Sequence, residues 1–387
     1  MRIAFTAVRR LLAIAVVALL GPAASASADF YTPPQKLPGR THGDLIRAKV
    51  LHGPAAISGG GRDELVLYRS VGVNGKPDAV SGIVSVPRGK APRGGWPVIT
   101  YDHGTTGIAD SCAPSRDSAD SAYAYPLLRR WLKSGWAVVR TDYEGLGTPG
   151  VHPYLIGTSE GRATLDIVRA ARRLRHSPLN AHKVVIAGHS QGGHAALFAA
   201  SLAPRWTPEL RVRGTIAFAP ASHLAAQAKI IPTVALKGLS GIIALIVRGI
   251  ATQNPALHVQ GDLTPRAEAL YPQTLTRCLP ALDKPDSFGA LATNEIFRTD
   301  SNLAPLIGQL GTNDPENLQI TTPVLVEQGT ADQTVLPLFT DDLVKQYLAK
   351  KIAVNYVKYA GFTHTDVVTK RAAQIDATAY IRARFKH

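Results

Sequence analysis

The chain has 387 residues, 45% of them hydrophobic, and carries 43 Lys and Arg against 28 Asp and Glu. The basic residues are scattered, without a run of five or six and without a basic block interleaved with aromatics. This excludes a nucleic-acid partner and leaves a basic surface suited at most to anionic envelopes or lipid surfaces. Neither H-E-x-x-H nor a comparable ligand cluster occurs, so a metal hydrolase is not expected.

At the start, Arg2, Arg9 and Arg10 precede the apolar run from Leu11 to Leu20, and Ala26-Ser27-Ala28 offers a cleavage point before Asp29. The pattern predicts a secretory signal peptide over residues 1–28. Its run is too short for a retained span, which needs about 20 apolar residues, so an exported mature chain without a transmembrane anchor is expected. That chain would hold 359 residues with a surplus of 12 basic over acidic groups. It exceeds the usual single-domain size, so one domain with a large insertion, or two domains, is expected. Its two cysteines, Cys112 and Cys278, predict one disulfide in an oxidising compartment, two free thiols being the alternative.

After the proline-bearing lead DFYTPPQKLPG, the segments DELVLYRS and DAVSGIVSVP read as two strands joined through the Asn74-Gly75 turn signal. WPVITYDHG then reads as a strand, residues 119–134 as a helix and GWAVVRTDYEG as a strand. The helical pattern SEGRATLDIVRAARRLR, with Ser159 as its expected cap, leads into the strand KVVIAG. A helix follows Ser190; then come the strand RGTIAFAPAS, a long irregular stretch, the strand TPVLVEQG, the helix LPLFTDDLVKQYLAKK, the strand AVNYVKYAG and a helix from about Asp366. Strands alternating with helices predict an α/β fold, a mostly parallel eight-stranded sheet covered on both faces. The alternation breaks over residues 222–320, too long for a loop, which predicts an inserted cap between core segments 29–221 and 321–387.

The chemistry centres on Gly188-His189-Ser190-Gln191-Gly192, a G-x-S-x-G motif lying directly after a buried strand and before a helix. A sharp strained turn there would lift the Ser190 hydroxyl above the sheet edge, and glycine at both flanks would avoid collision with neighbouring backbone. A serine nucleophile needs a base and an orienting carboxylate, in the order Ser, acid, His for this motif. Asp332 in the loop after TPVLVEQG and His364 in the loop after the next strand fit that order, each past the carboxyl end of its strand. Asp366 is better placed to begin the last helix, Glu327 lies within a strand, and Asp142 precedes the serine. His189 and His194 read as turn and helix-face residues, and His103 and His182 fall on earlier loops. For the oxyanion of a tetrahedral intermediate, the expected donors are the backbone N–H of Gln191 and, from the glycine-bearing loop DHGTTG, that of Thr105 with Gly104 beside it.

These residues make the chain resemble the α/β-hydrolases and, more narrowly, the secretory lipase family of fungal and bacterial enzymes. The shared features are FYTPP at the start of the mature chain, CAPS at 112–115, DYEGLG at 142–147, GHSQGG at 188–193, and GTADQTV followed by GFTH. The resemblance implies hydrolysis of acyl esters, no metal or organic cofactor, a cap over the site, and a cysteine like Cys112 tied to one in the cap. The fungal members carry an acidic residue in the oxyanion loop, where this chain has His103-Gly104-Thr105-Thr106. In the cap, residues 230–252 are strongly apolar but interrupted by Pro232, Lys237, glycines and Arg248, so a buried helix or a wall over an acyl tunnel is expected rather than a span. Together the readings point to a secreted serine esterase or lipase with an ester or lipid substrate and transient contact with a lipid interface. The alternatives are a peptidase or amidase on the same scaffold and a non-catalytic lipid-binding protein.

Overall fold

The computed structural model describes residues 29–116 and 119–386; the expected leader over residues 1–28 lies outside them. Its strands are β1 (Leu45–Val50), β2 (Arg62–Val71), β3 (Pro77–Val86), β4 (Trp96–Asp102), β5 (Ala137–Thr141), β6 (Leu179–His189), β7 (Val212–Phe218), β8 (Val324–Gly329) and β9 (Val354–Tyr359). They form one sheet in the order β1-β2-β3-β5-β4-β6-β7-β8-β9. The pairs β1–β2, β2–β3 and β3–β5 are antiparallel, and every pair from β5–β4 to β8–β9 is parallel. Nine strands replace the eight expected. The additional one, β1, is half exposed and carries Arg47 and Lys49 at the sheet edge, so its sequence lacks the apolar run that marks the inner strands.

The helices are α1 (Tyr125–Lys133), α2 (Gly157–Ala171), α3 (Gln191–Trp206), α4 (Leu224–Ile230), α5 (Ser240–Gln253), α6 (Pro265–Leu270), α7 (Leu279–Leu282), α8 (Ala304–Gly311), α9 (Pro337–Ala349), α10 (Asp366–Thr369) and α11 (Arg371–Lys386). Central strands are mainly apolar because helices cover both faces of the sheet, although buried polar side chains such as Asp102, Arg140 and Glu327 also lie on them. In β6, Val184, Val185, Ile186 and Ala187 are all fully buried; Val185 and Ala187 meet the α1 and α11 side, while Val184 and Ile186 meet the α2 and α3 side.

Helix α2 begins at Gly157 rather than at Ser159, whose hydroxyl instead donates to Glu144 from inside the helix. The start is set by packing. A Cβ on Gly157 would come within 2.3 Å of the Phe198 ring, and one on Gly161 within 2.9 Å of the Ala199 amide, so these two glycines let α2 lie close against α3. Residues 119–124 form a 3₁₀ turn that feeds α1, so the helix expected over 119–134 is α-helical only in its second part.

Between β7 and β8 the described chain holds no sheet strand and instead carries α4 to α8 with short 3₁₀ turns. Its buried side chains, among them Leu245, Ile250, Phe288 and Ile296, form their own apolar cluster with Ile108, Tyr154, Leu155 and Ile156 from the core loops. No helix among the described residues is long and apolar enough to cross a membrane.

Candidate active site

The turn from β6 into α3 forces a serine into a conformation that side chains avoid. Ser190 has φ 59° and ψ −117°. The turn is held by backbone pairing: the Ser190 amide donates to the Phe218 carbonyl at 2.9 Å, and the Ser190 carbonyl accepts from the His194 amide at 3.1 Å. Neither flank has room for a Cβ. At Gly188 it would lie 2.0 Å from the Gly192 carbonyl oxygen, and at Gly192 it would lie 2.0 Å from that of Asp102. The turn therefore sets Ser190 at the N-terminus of α3, where the helix dipole and unpaired amides favour developing negative charge.

Asp332 follows β8 and His364 follows β9, both at the carboxyl edge of the sheet. His364 Nδ1 lies 2.7 Å from Asp332 Oδ2. Asp332 also accepts from the Thr334 amide at 2.8 Å, the Val335 amide at 2.9 Å and Gln328 Nε2 at 3.0 Å. Burial alone would raise its pKa, but the hydrogen bond and charge of His364, with the Val335 and Thr334 amides, hold it below the usual carboxylate value. An ionised Asp332 can only accept, so His364 Nδ1 carries the hydrogen and Nε2 is left as the acceptor. The loop of His364 is fixed against the serine turn, since its carbonyl lies 2.9 Å from His189 Nε2.

The side chain of Gln191 is drawn away from the sheet edge by Glu160, 2.8 Å from its Nε2, and by His152 Nε2 at 2.9 Å. Its backbone N–H, in the first turn of α3, has no acceptor within the helix. Thr105 and Ser190 line the same cavity, and Thr105 Oγ1 is 2.7 Å from the Tyr154 hydroxyl. Gly104 is a glycine for the space it leaves to its neighbours. Its backbone is not in the left-handed region, but a Cβ there would stand 2.7 Å from the Tyr123 hydroxyl and 3.1 Å from His189 Nδ1. The rival residues are otherwise engaged: Asp366 accepts the Thr363 amide at 2.9 Å, Asp142 takes the Ser81 and Ser115 hydroxyls, and His194 bridges Glu160 and the Asn313 carbonyl, each at 2.8 Å. His103 turns Nδ1 onto the Gly104 carbonyl at 2.7 Å, and burial pushes its pKa down to about 4. Tyr123, His152, Tyr154 and Glu160 were not singled out in the sequence, because none belongs to a local motif.

Cys112 and Cys278 are bonded, with Cα atoms 5.4 Å apart, and so tie the loop after β4 to the helical segment. Beside them the Leu279 amide donates to the Thr106 carbonyl at 2.9 Å. The cavity that opens at Ser190 holds about 900 Å³ of empty space, open solvent at its mouth included. Apart from Thr105, Tyr154, Ser190, Gln227 and Thr334 its wall is apolar, supplied mainly by α4, α5 and α8 through residues such as Leu224, Ile243, Ile246 and Leu306.

Lipase A of Moesziomyces aphidis is 27% identical over 236 residues, which is 55% of this chain and 50% of that one. Lipase 6 of Candida albicans is 28% identical over 272 residues, 65% of this chain and 56% of that one. The chain thus spans about half the length of the curated relatives it matches. Among solved structures, Candida antarctica lipase A in its closed state superposes with a TM-score of 0.77 at 20% identity, covering 92% of this chain and 85% of that one, which shows the α/β-hydrolase fold. The profile described as secretory lipase matches residues 119–387, the stretch that runs from α1 through the serine turn, the helical segment and both later loops; the chain belongs to the secretory lipase family.

Proposed function

We propose that the protein is a secreted serine hydrolase of carboxylic esters. The reading is carried by one observation, the buried Asp332 holding His364 Nδ1 at 2.7 Å on the sheet edge where Ser190 tops its strained turn. In this mechanism Ser190 Oγ attacks the ester carbonyl as His364 Nε2 takes its proton; the carbon–oxygen bond to the alcohol breaks and His364 protonates the departing alcohol. Water then attacks the acyl-serine by the same route and releases the acid and free Ser190. Asp332 keeps the imidazole in the required tautomer, and the amides of Gln191 and Thr105 receive the oxyanion.

The substrate class follows from the wall. A cavity whose wall is apolar apart from Ser190, Thr105, Tyr154, Gln227 and Thr334 suits an acyl chain, with residues 222–320 acting as the cap over it. Ile230, Leu236, Leu336 and Leu338 are exposed and lie close in sequence to the lining residues Ile231, Leu239 and Val335. With Lys229 and Lys237 beside them, they form an apolar rim with basic flanks suited to transient contact with a lipid surface. The expected leader and the secretory family favour export.

The test is hydrolysis of p-nitrophenyl esters by the parent and by Ser190→Ala, with folding checked by circular dichroism. Activity should vanish in the folded variant, and a fluorophosphonate should label the parent at Ser190. Turnover retained in Ser190→Ala would remove this mechanism, and a matched amide hydrolysed as fast as the ester would favour an amidase.

A further inference from the structure

Behind the Ser190 turn, Tyr123, from the 3₁₀ turn before α1, meets two other segments of the site. Its hydroxyl lies 2.7 Å from His189 Nδ1, and a Cβ on Gly104 would stand 2.7 Å from the same hydroxyl, so Tyr123 also abuts the oxyanion loop. On the far side of the same imidazole, His189 Nε2 lies 2.9 Å from the His364 carbonyl. The His189 and His364 rings are 4.6 Å apart between centroids.

The direction of every hydrogen follows from chemistry. A carbonyl only accepts, so His189 Nε2 carries the hydrogen. The imidazole is neutral, because burial, with the His364 ring beside it, pushes its pKa down to about 3. Nδ1 is then a bare acceptor and the Tyr123 hydroxyl must donate to it. Each group has one role, in a chain that runs from the Tyr123 O–H through His189 to the His364 carbonyl. Bonds in such a chain polarise one another in the same sense.

We infer that Tyr123 and His189 are positioning residues, which hold the backbone of His364 in register with the oxyanion loop and the Ser190 turn. The inference rests on the ester-hydrolase reading above.

The test measures kcat and KM for a p-nitrophenyl ester, normalised to the folded fraction from near-ultraviolet circular dichroism. Tyr123→Phe should lower kcat by about 10- to 100-fold and leave KM within about twofold, because the ring still packs while the general base loses its register. His189→Ala should lose at least as much, and His189→Gln, whose side-chain amide can still donate to the His364 carbonyl, should recover part of it. If Tyr123→Phe and His189→Ala lower only the melting temperature and keep kcat per folded molecule within about twofold of the parent, the pair is merely structural and the inference is overturned. Failure of a fluorophosphonate to label Ser190 in the parent would overturn the underlying hydrolase reading and this inference with it, whereas labelling with unchanged kcat in both variants would overturn the inference alone.

Discussion

Opening the Cys112–Cys278 bridge should cost both stability and catalysis, for separate reasons. The two cysteines are 166 residues apart in sequence. A loop of that length, restricted in the unfolded chain, gives about 5 kcal/mol in the chain-entropy account, the upper end of the usual range of about 2–5 kcal/mol. Cys112 is fully buried among Ala109, Ala113 and Leu146, so Cys112→Ala with Cys278→Ala removes the bridge without burying a hydroxyl. Urea unfolding of this double variant should show a loss of about 2–5 kcal/mol. The bridge also anchors the loop proposed to receive the oxyanion: a Cβ on Gly107 would lie 3.0 Å from the Cys278 Cα, and the Leu279 amide holds the Thr106 carbonyl. Ester turnover should therefore fall at temperatures where the variant is still folded. A stability change below about 1 kcal/mol would refute the loop-entropy reasoning. Unchanged turnover in the folded variant would refute the anchoring of Thr105 through this contact.

Ile246 projects from α5 into the cavity, and Ile246→Trp should fill part of it and move the preferred ester toward shorter acyl chains while acetate hydrolysis persists. An unchanged chain-length profile would mean that the acyl group lies elsewhere. Asp314 accepts the amides of Leu224 and Ala225 at the start of α4, yet burial, with Glu316 alongside, raises its pKa to about 6. Its folded value exceeds the unfolded one, so ionising it costs stability as pH rises through about 6, and the cost is absent below the ordinary value of 3.8. The melting temperature of Asp314→Asn relative to the parent should accordingly shift in the variant's favour between about pH 4 and pH 7.5. A pH-independent difference would contradict it.

The alternation of apolar strands with helical segments, the strand–serine–helix turn and the order Ser190, Asp332, His364 were legible because each is written within a single element or its adjoining loop. The clash that requires Gly188 and Gly192 is local in the same sense, since it arises within one turn and the strand end beside it. Edge strand β1 was not legible, because half-exposed residues with alternating charge carry little apolar signal. The start of α2 was misplaced because Ser159 has the character of a cap while the contact of Gly157 with Phe198 decides where the helix begins.

Tertiary structure alone decided what surrounds the three central residues. Tyr123 reaches His189 across 66 positions, His189 reaches the His364 carbonyl across 175, and Glu160 draws away the Gln191 side chain across 31. The need for glycine at 104, which leaves space to Tyr123 and His189, likewise arises between distant segments. The physical reason is range. Periodicity, capping and backbone strain act over a few residues and can be read along the chain, whereas hydrogen-bond partnership and close approach depend on which loops the sheet order brings to one edge.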